Sequence, residues 1–342
     1  MRRNVLLLVI ALLVVLIPAE IYLRVQANQD RARIRGGMDE RALCTEQSKD
    51  KRLIYTYTPG ECGANSRGFR DVEHTPEKPP HTFRIVLIGD SVAEGRDVDP
   101  DSAFGRVLER MLNGASTAAA GTGAPQGGAV KYEVILLARI GYSTSQEIVL
   151  LEDEAPRYHP DLILWSYCLN DPADPVFHNA NGNLGRYWYR PTLQLAGLVR
   201  AFAFRLKQKL GGRGCPTEFH AFLHCAFHKD IDRDIDRIAR DARAQDVPVA
   251  FIVHPIFEDR PSFTDYSLTA VHQDLDATAL GAGFTVIDVL DGFRAFAPAD
   301  LKIHRDDYFD PWHLNVRGHL ITAAFIRDRL VAGELLPPGH TP

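Results

Sequence analysis

Apolar residues are distributed unevenly along the chain, and the first block begins at residue 5. Residues 5–17 carry no polar side-chain atom and follow a positively charged N-terminus. Extended to Leu23, the run contains Glu20 as its only charged residue and is long enough to cross a bilayer. The lack of a polar face along the run argues against a buried core helix. We therefore predict a membrane anchor or signal sequence over residues 1–24. We favour an uncleaved anchor over a removed signal, because the small residues at 25–27 lie far beyond the uninterrupted run at 5–17 and follow Arg24.

Further along the chain, short β-branched runs alternate with segments of helical spacing. Residues 25–80 have a polar, irregular character and are interpreted as a stalk and leading segment. The predicted strands cover residues 84–89, 132–138, 161–167, 247–254 and 284–289. The predicted helices cover residues 104–112, 146–155, 231–245, 265–280 and 315–330. Five strands buried on both faces and separated by helices predict a five-stranded parallel sheet in a three-layer α/β/α sandwich.

This pattern assigns residues 81–331 to one α/β domain. Two segments interrupt its alternation of strands and helices. Residues 114–129, rich in Gly, Ala and Thr, are expected to form a flexible surface loop. Residues 172–230, rich in aromatic residues and His, form a long insertion between the third and fourth strands. Residues 332–342 are left as a C-terminal tail.

Composition and charge narrow the class of protein. The 342 residues are 45% hydrophobic and 24% charged, with a net charge of −5, which excludes a disordered chain and a basic nucleic-acid-binding surface. Cys44 lies near Cys62 in the sequence, and Cys215 lies near Cys225, so two local disulfides are expected, with Cys168 left over. Two such pairs fit an oxidising compartment outside the cytoplasm.

Candidate chemistry lies at the end of the first predicted strand and near the C-terminus. Ser91 follows a buried strand within Gly89-Asp90-Ser91, and beyond the carboxyl ends of the strands is where α/β sheets bind ligands. A nucleophilic serine needs a base and an acceptor that orients the base. Asp310 and His313, three residues apart before the last helix, can supply both. The sequence has no G-x-S-x-G motif, which argues against an α/β-hydrolase.

These motifs, together with two others, resemble the four sequence blocks of the SGNH hydrolases, also called GDSL-type esterases and lipases. The blocks occur in order at residues 89–91, 138–144, 168–171 and 310–313. Residues 65–71 also resemble a segment that precedes the first block in membrane-anchored members. The resemblance implies a flavodoxin-like SGNH hydrolase fold for about residues 65–331.

The resemblance also implies roles for individual residues. Ser91 matches the nucleophile, His313 the general base and Asp310 the acid that orients the base. The backbone amides of Ser91 and Gly141 and the side chain of Asn170 match the donors of the oxyanion hole. Two departures concern the loops near these donors: Cys168 stands where glycine is usual, and the second block lacks its asparagine and first glycine. They leave the class intact and leave the shape of the substrate open.

Several other residues permit a structural or a functional interpretation. His220, His224 and His228 share one helical stripe and could hold zinc, but a disulfide with surface histidines is favoured, so no metal site is assigned. His254 ends the fourth strand and is interpreted as a hydrogen-bonded loop residue. Arg139 is expected to be exposed. The aromatic run at 187–189 is interpreted as packing rather than sugar stacking.

We therefore predict a serine esterase that hydrolyses a carboxylic ester of O-acetyl or lipid type outside the cytoplasm, without a cofactor. Its partners are a small-molecule, lipid or glycan ester and, through the N-terminal helix, a membrane, but no nucleic acid. The alternatives are an O-acyltransferase of envelope polysaccharide and a catalytically silent envelope-assembly protein. The acyl chain and alcohol of the substrate and the oligomeric state stay open.

Overall fold

The computed structural model describes residues 2–120, 130–172, 174–176, 184–306 and 308–337. Within these residues the strands are β1 (Thr45–Gln47), β2 (Tyr55–Tyr57), β3 (Thr82–Gly89), β4 (Lys131–Ala138), β5 (Leu162–Cys168), β6 (Val249–His254) and β7 (Thr285–Asp288). The last five form one parallel sheet in the order β4-β3-β5-β6-β7. All residues of β5 and β6 are buried, as expected for strands covered on both faces. The predicted five-stranded parallel sheet is confirmed.

The five helices predicted within the α/β domain are present with different ends, and the structure contains further helices that the sequence pattern did not predict. They are α1 (Arg2–Gly36), α2 (Glu40–Leu43), α3 (Ser91–Glu94), α4 (Phe104–Ala120), α5 (Thr144–Asp153), α6 (Leu184–Trp188), α7 (Gln194–Gly211), α8 (Phe219–Ala244), α9 (Thr269–Gly281), α10 (Val289–Phe293), α11 (Pro298–Leu301) and α12 (Val316–Ala332). The predicted loop at 114–129 is wrong as far as residue 120, where the alanine-rich sequence continues α4. Residues 121–129 lie outside the described part of the chain.

Helices cover both faces of the sheet, as two adjacent residues of β5 demonstrate. The Trp165 indole donates a hydrogen bond of 2.9 Å to Glu147 on α5. The Ser166 hydroxyl points the other way and lies 2.9 Å from Nε2 of His254, whose ring packs against Phe104 of α4. Because successive side chains of a strand alternate between faces, α4 and α5 cover opposite faces of the sheet. The three-layer sandwich is therefore present.

The segment between α1 and β3 differs from its prediction as an irregular stalk. β1 and β2 form an antiparallel pair, and Tyr55 and Tyr57 of β2 are fully buried in the main core. A disulfide joins Cys44 to Cys62 across this unit. The polar composition of this segment gave no sign of burial, because the residues of β2 that face the core are tyrosines. Their hydroxyls donate to buried acceptors.

The N-terminal helix α1 stands apart from the core. Over Ile10–Gly36 it is long and apolar enough to cross a membrane, and none of its apolar window is buried in the fold. Many of its apolar side chains are therefore exposed, among them Val14, Val15 and Ile21. The structure also contains the second expected disulfide, Cys215–Cys225, and a buried free Cys168.

Candidate active site

Three neighbouring strands bring the predicted site residues to one edge of the sheet. Ser91 follows β3, the strand that lies between β4 and β5. Gly141 follows β4 and Asn170 follows β5. The register pairs Gly89 of β3 with Ala138 of β4, so the loops after these strands start at the same level. The carboxyl edge of the sheet therefore collects all three loops.

The turn that presents Ser91 is fixed by its neighbours. The Asp90 side chain caps α3 by accepting a 2.8 Å hydrogen bond from the amide of Val92. A Cβ on Gly89 would lie 2.8 Å from the Ser166 carbonyl oxygen, so only glycine fits between β3 and β5 there. The short helix ends at Gly95 in a left-handed conformation (φ 75°). Ser91 itself is only 3% exposed at the first position of α3.

The loop before α12 brings His313 and Asp310 to Ser91. Nε2 of His313 lies 2.9 Å from Oγ of Ser91. On its other side, Nδ1 of His313 lies 2.8 and 3.0 Å from the two carboxylate oxygens of Asp310. Asn315 begins the helix as its N-cap and accepts a hydrogen bond from the Gly318 amide, as its position in the sequence predicted. The structure thus brings the three residues of the predicted triad together.

Asp310 is held as a carboxylate. Burial raises its pKa, but hydrogen bonds from the His313 ring and from the amides of Trp312 and His313 outweigh burial and hold the pKa well below its usual range. Nε of Arg305 lies 3.3 Å from the same carboxylate and also pairs with Asp97. Sequence reasoning missed Arg305, because an arginine in a polar loop gives no signal that it will meet Asp310.

Glu94, one turn after Ser91, was also missed. It is 1% exposed, accepts a 2.8 Å hydrogen bond from the Tyr57 hydroxyl, and accepts another from the amide of Ile140. Burial raises its pKa against the opposing effect of Arg70 nearby. Glu94 therefore ties the β2 segment and the loop that contains Gly141 to the helix that contains Ser91. Its side-chain partners lie 37 and 46 positions away in the sequence, so local spacing gave no signal of these contacts.

Arg139 is not exposed, contrary to expectation. It is 4% exposed, its guanidinium lies 4.0 Å from the centre of the Phe69 ring, and it donates hydrogen bonds to the Gly68 carbonyl and the Tyr142 hydroxyl. The segment at 65–71 is thereby attached to the loop after β4. This contact gives the segment a physical role as the outer support of the Gly141 loop.

The two loops proposed to hold the oxyanion hole are joined to each other. Gly141 adopts a left-handed backbone (φ 67°), which favours glycine, and Asn170 is 8% exposed. The Thr144 amide donates to the Asp171 carbonyl (3.0 Å), and the Asp171 carboxyl accepts from the Cys168 amide (2.6 Å). The positions fit the predicted donors, and the roles of Gly141 and Asn170 stay predictions.

Structural partners are present for five further histidines, at positions 220, 224, 228, 254 and 319. Burial lowers the pKa of His254 to about 3, and burial likewise lowers that of His319 to about 3, so both rings are neutral. The His220 side chain is directed away from His224 and His228, because its Nε2 accepts a 3.1 Å hydrogen bond from the Trp312 indole. His224 and His228 instead meet Asp274 at the surface. The three histidines therefore do not converge on one site.

A parallel α/β/α sheet with a serine hydrogen-bonded to a histidine beyond its carboxyl edge is typical of serine hydrolases. The chain belongs to the GDSL-like lipase/acylhydrolase family, whose family model matches residues 87–321. It is accordingly a serine hydrolase that acts on ester bonds. The resemblance drawn from the four sequence blocks is thus confirmed.

Comparison with individual proteins adds the following similarities. No curated protein matches the sequence. Among solved structures, a lipase/acylhydrolase from Enterococcus faecalis is 16% identical with a TM-score of 0.43, over 73% of this chain and 96% of that one. A catalytic mutant of Axe2, an acetylxylan esterase from Geobacillus stearothermophilus, is 12% identical with a TM-score of 0.44, over 72% and 94%. TesA is 13% identical with a TM-score of 0.43, over 74% and 99%.

Proposed function

We propose that the protein is a membrane-anchored serine esterase that hydrolyses a carboxylic ester of O-acetyl or lipid type outside the cytoplasm. Ser91 is the nucleophile, His313 the general base and Asp310 the carboxylate that orients the base. The observation that supports this assignment best is the 2.9 Å hydrogen bond between Ser91 Oγ and His313 Nε2.

The first half of the reaction follows from the contact between Asp310 and His313. Asp310 is ionised and faces Nδ1 of His313, so the neutral imidazole holds its proton on Nδ1 and leaves Nε2 free to accept. Nε2 takes the hydroxyl proton as Ser91 Oγ attacks the ester carbonyl carbon. The resulting imidazolium is stabilised by Asp310 and then donates its proton to the departing alcohol oxygen. An acyl-serine results.

Charge that develops on the carbonyl oxygen needs hydrogen-bond donors placed in advance. The proposed donors are the backbone amides of Ser91 and Gly141 and the side-chain amide of Asn170. These residues follow three adjacent strands at the same edge of the sheet. Each such donor typically contributes about 2.7–4 kcal/mol to lowering the barrier. In the second half of the reaction, water gives its proton to His313 and attacks the acyl carbonyl. The Ser91 oxygen then leaves and recovers the proton.

The location outside the cytoplasm rests on α1 and on the two disulfides. An exposed apolar helix of this length is stable in a bilayer and unfavourable in water. Disulfides persist in oxidising compartments and are rare in the cytosol. The measurement that separates an anchor from a cleaved signal is the intact mass of the protein extracted from carbonate-washed membranes. A mature chain that begins near residue 28 and is released without detergent would contradict the anchor.

The catalytic assignment is tested with the full-length protein in mild detergent, p-nitrophenyl acetate and three variants. Ser91→Ala and His313→Ala are each expected to lower kcat by at least about 10³-fold. Ser262→Ala, which removes an exposed hydroxyl bonded to Thr264, is the matched control and should leave kcat unchanged. A fluorophosphonate probe should label the unsubstituted chain at Ser91.

The alternatives give different results in the same experiment. Turnover by Ser91→Ala within a few-fold of the unsubstituted chain would overturn Ser91 as the nucleophile. Acyl transfer to an added glycan hydroxyl that outruns hydrolysis would identify an O-acyltransferase. Absence of both turnover and labelling in a correctly folded chain would indicate a catalytically silent protein.

A further inference from the structure

Helix α7, in the insertion between β5 and β6, turns its apolar side away from the fold. Its apolar residues recur at intervals of three and four, which places them on one face: Leu195, Val199, Phe202, Leu206 and Leu210. Val199 and Phe202 are 69% and 68% exposed, and no residue of α7 is buried. An apolar stripe of this length on a water-exposed helix is unfavourable and indicates an interaction surface.

The opposite face of α7 already has its partner. Phe204 stacks on Phe227 of α8 with ring centres 5.9 Å apart, and Gly197 and Ala201 line a cavity of about 230 Å³ between α7 and α1. Phe204 and the small residues Gly197 and Ala201 thus face the fold, and the residues of the stripe face away from it. The stripe is therefore not the core-facing side of a misplaced helix.

The beginning of α7 is fixed to the end of the apolar run of α1. The Glu20 carboxylate accepts hydrogen bonds from the amides of Gln194 (2.9 Å) and Leu195 (3.0 Å). Arg24 donates to the Thr192 carbonyl (2.9 Å) and pairs with Glu20. Glu20 and Arg24 border the part of α1 that a bilayer would enclose, so α7 begins at the level of the membrane surface.

The charges of α7 indicate what the stripe meets. The helix contains Arg200, Arg205, Lys207 and Lys209 and no acidic residue. Arg200 pairs with Asp174 and Lys207 with Asp230, whereas no carboxylate of the described residues pairs with Arg205 or Lys209. These two lie three residues after Phe202 and Leu206, at the border of the stripe. Two-fold pairing with a second copy would bring like charges together, while anionic headgroups complement them.

We propose that α7 docks on the bilayer that α1 enters, with the stripe in the acyl-chain boundary and Arg205 and Lys209 at anionic headgroups. The proposal rests on the anchor in the proposed function and is independent of the esterase chemistry. Because α7 packs on α8, and His220 of α8 accepts the Trp312 hydrogen bond beside His313, docking holds the catalytic loop at a set height above the membrane.

The test uses the full-length chain in lipid nanodiscs that contain phosphatidylcholine and phosphatidylglycerol, with and without brominated acyl chains. Phe202→Trp introduces a reporter on the stripe, and Leu280→Trp, at a residue 60% exposed on α9, is the matched control. Fluorescence of the unsubstituted chain, with its three tryptophans, is subtracted. The added Trp at 202 is expected to emit at shorter wavelength and to be quenched by bromine, and the one at 280 is not.

Each result supports or overturns the proposal. Quenching at 202 that weakens in the Arg205→Gln/Lys209→Gln background or without phosphatidylglycerol supports the docking and the role of charge. Incorporation of the chain without quenching at 202 overturns the docking and leaves the anchor intact. Failure to incorporate overturns both, while turnover of p-nitrophenyl acetate reports separately on the esterase. A blue shift without quenching that grows with the number of chains per disc identifies a second copy instead. Val199→Trp repeats the test if Phe202→Trp lowers the melting temperature.

Discussion

Replacement of Glu94 tests whether this buried side chain fixes the position of the loop that contains Gly141. Glu94→Ala removes the acceptor of the Tyr57 hydroxyl and of the Ile140 amide, and it removes the carboxylate 3.9 Å from the Arg70 guanidinium. Ile140 directly precedes Gly141, the proposed oxyanion donor. The substitution therefore acts on catalysis through the position of one backbone amide, at a site that substrate does not touch.

The expected magnitudes follow from these contacts. Two buried donors left without an acceptor cost about 1–3 kcal/mol each, so we expect the free energy of unfolding to fall by about 2–6 kcal/mol. Full loss of one oxyanion donor lowers kcat by about 10²–10³-fold, which sets the upper range for Glu94→Ala. KM should change much less, because the donor acts mainly on the transition state.

The conservative variant separates position from charge. In Glu94→Gln the amide oxygen can accept from Ile140 and the amide NH₂ can donate to the Tyr57 oxygen, since a phenol both donates and accepts. We expect this variant to keep kcat within about tenfold of the unsubstituted chain, less than the loss of one donor. Both variants are measured with p-nitrophenyl acetate for kcat and KM, and by urea denaturation for stability.

A second destabilising substitution, away from the site, serves as the control. Glu109 accepts a 2.7 Å hydrogen bond from the Val134 amide in the same strand β4, at the end away from the site. Glu109→Ala should therefore lower stability without lowering kcat per folded molecule. Equal kcat values for Glu94→Ala and Glu109→Ala would refute a role of Glu94 in positioning the Gly141 loop.

Three further predictions follow from the buried charges and the disulfides. Asp310→Asn should lower kcat by about 10⁴-fold with little change in melting temperature, because the amide cannot stabilise the imidazolium; a loss below tenfold would contradict the assignment. Burial raises the pKa of Glu147 to about 8, so the folded state keeps a proton that the unfolded chain releases above about pH 4.5. The stability that Glu147 contributes is therefore fully present below about pH 4.5 and is lost as the pH rises towards 8. Urea denaturation at several pH values should show the free energy of unfolding fall over this range. Glu147→Gln should flatten this fall while keeping the Trp165 hydrogen bond. Replacement of Cys44 and Cys62 by serine should lower the free energy of unfolding by about 2–4 kcal/mol, measured against the unsubstituted chain with and without reductant.

The parts of the fold that depend on local pattern could be predicted from the sequence. The buried strands are continuous apolar runs, and Asn315 precedes its helix with the spacing of an N-cap. Ser91, Asp310 and His313 could be named because a nucleophile, base and acceptor occupy short recognisable blocks. Their convergence required only that the strands be parallel, which the alternation with helices predicted.

The supports of the site could not be predicted, because they depend on distant residues. Tyr57 reaches Glu94 across 37 positions, and Arg139 reaches Gly68 across 71. Neither partner is marked by local spacing, and burial of a polar side chain runs against its usual preference. The polar composition of residues 25–80 likewise gave no sign that Tyr55 and Tyr57 would enter the core.

The hydrogen bond between Ser91 and His313 joins residues that are 222 positions apart. During synthesis, Ser91 emerges early, while the proposed base His313 emerges only after the five strands of the parallel sheet have been made. A nascent chain that lacks His313 thus has a Ser91 hydroxyl of ordinary reactivity, because a serine needs a base to act as a nucleophile. The proposed chemistry therefore becomes available only after His313 has been made and has folded against Ser91.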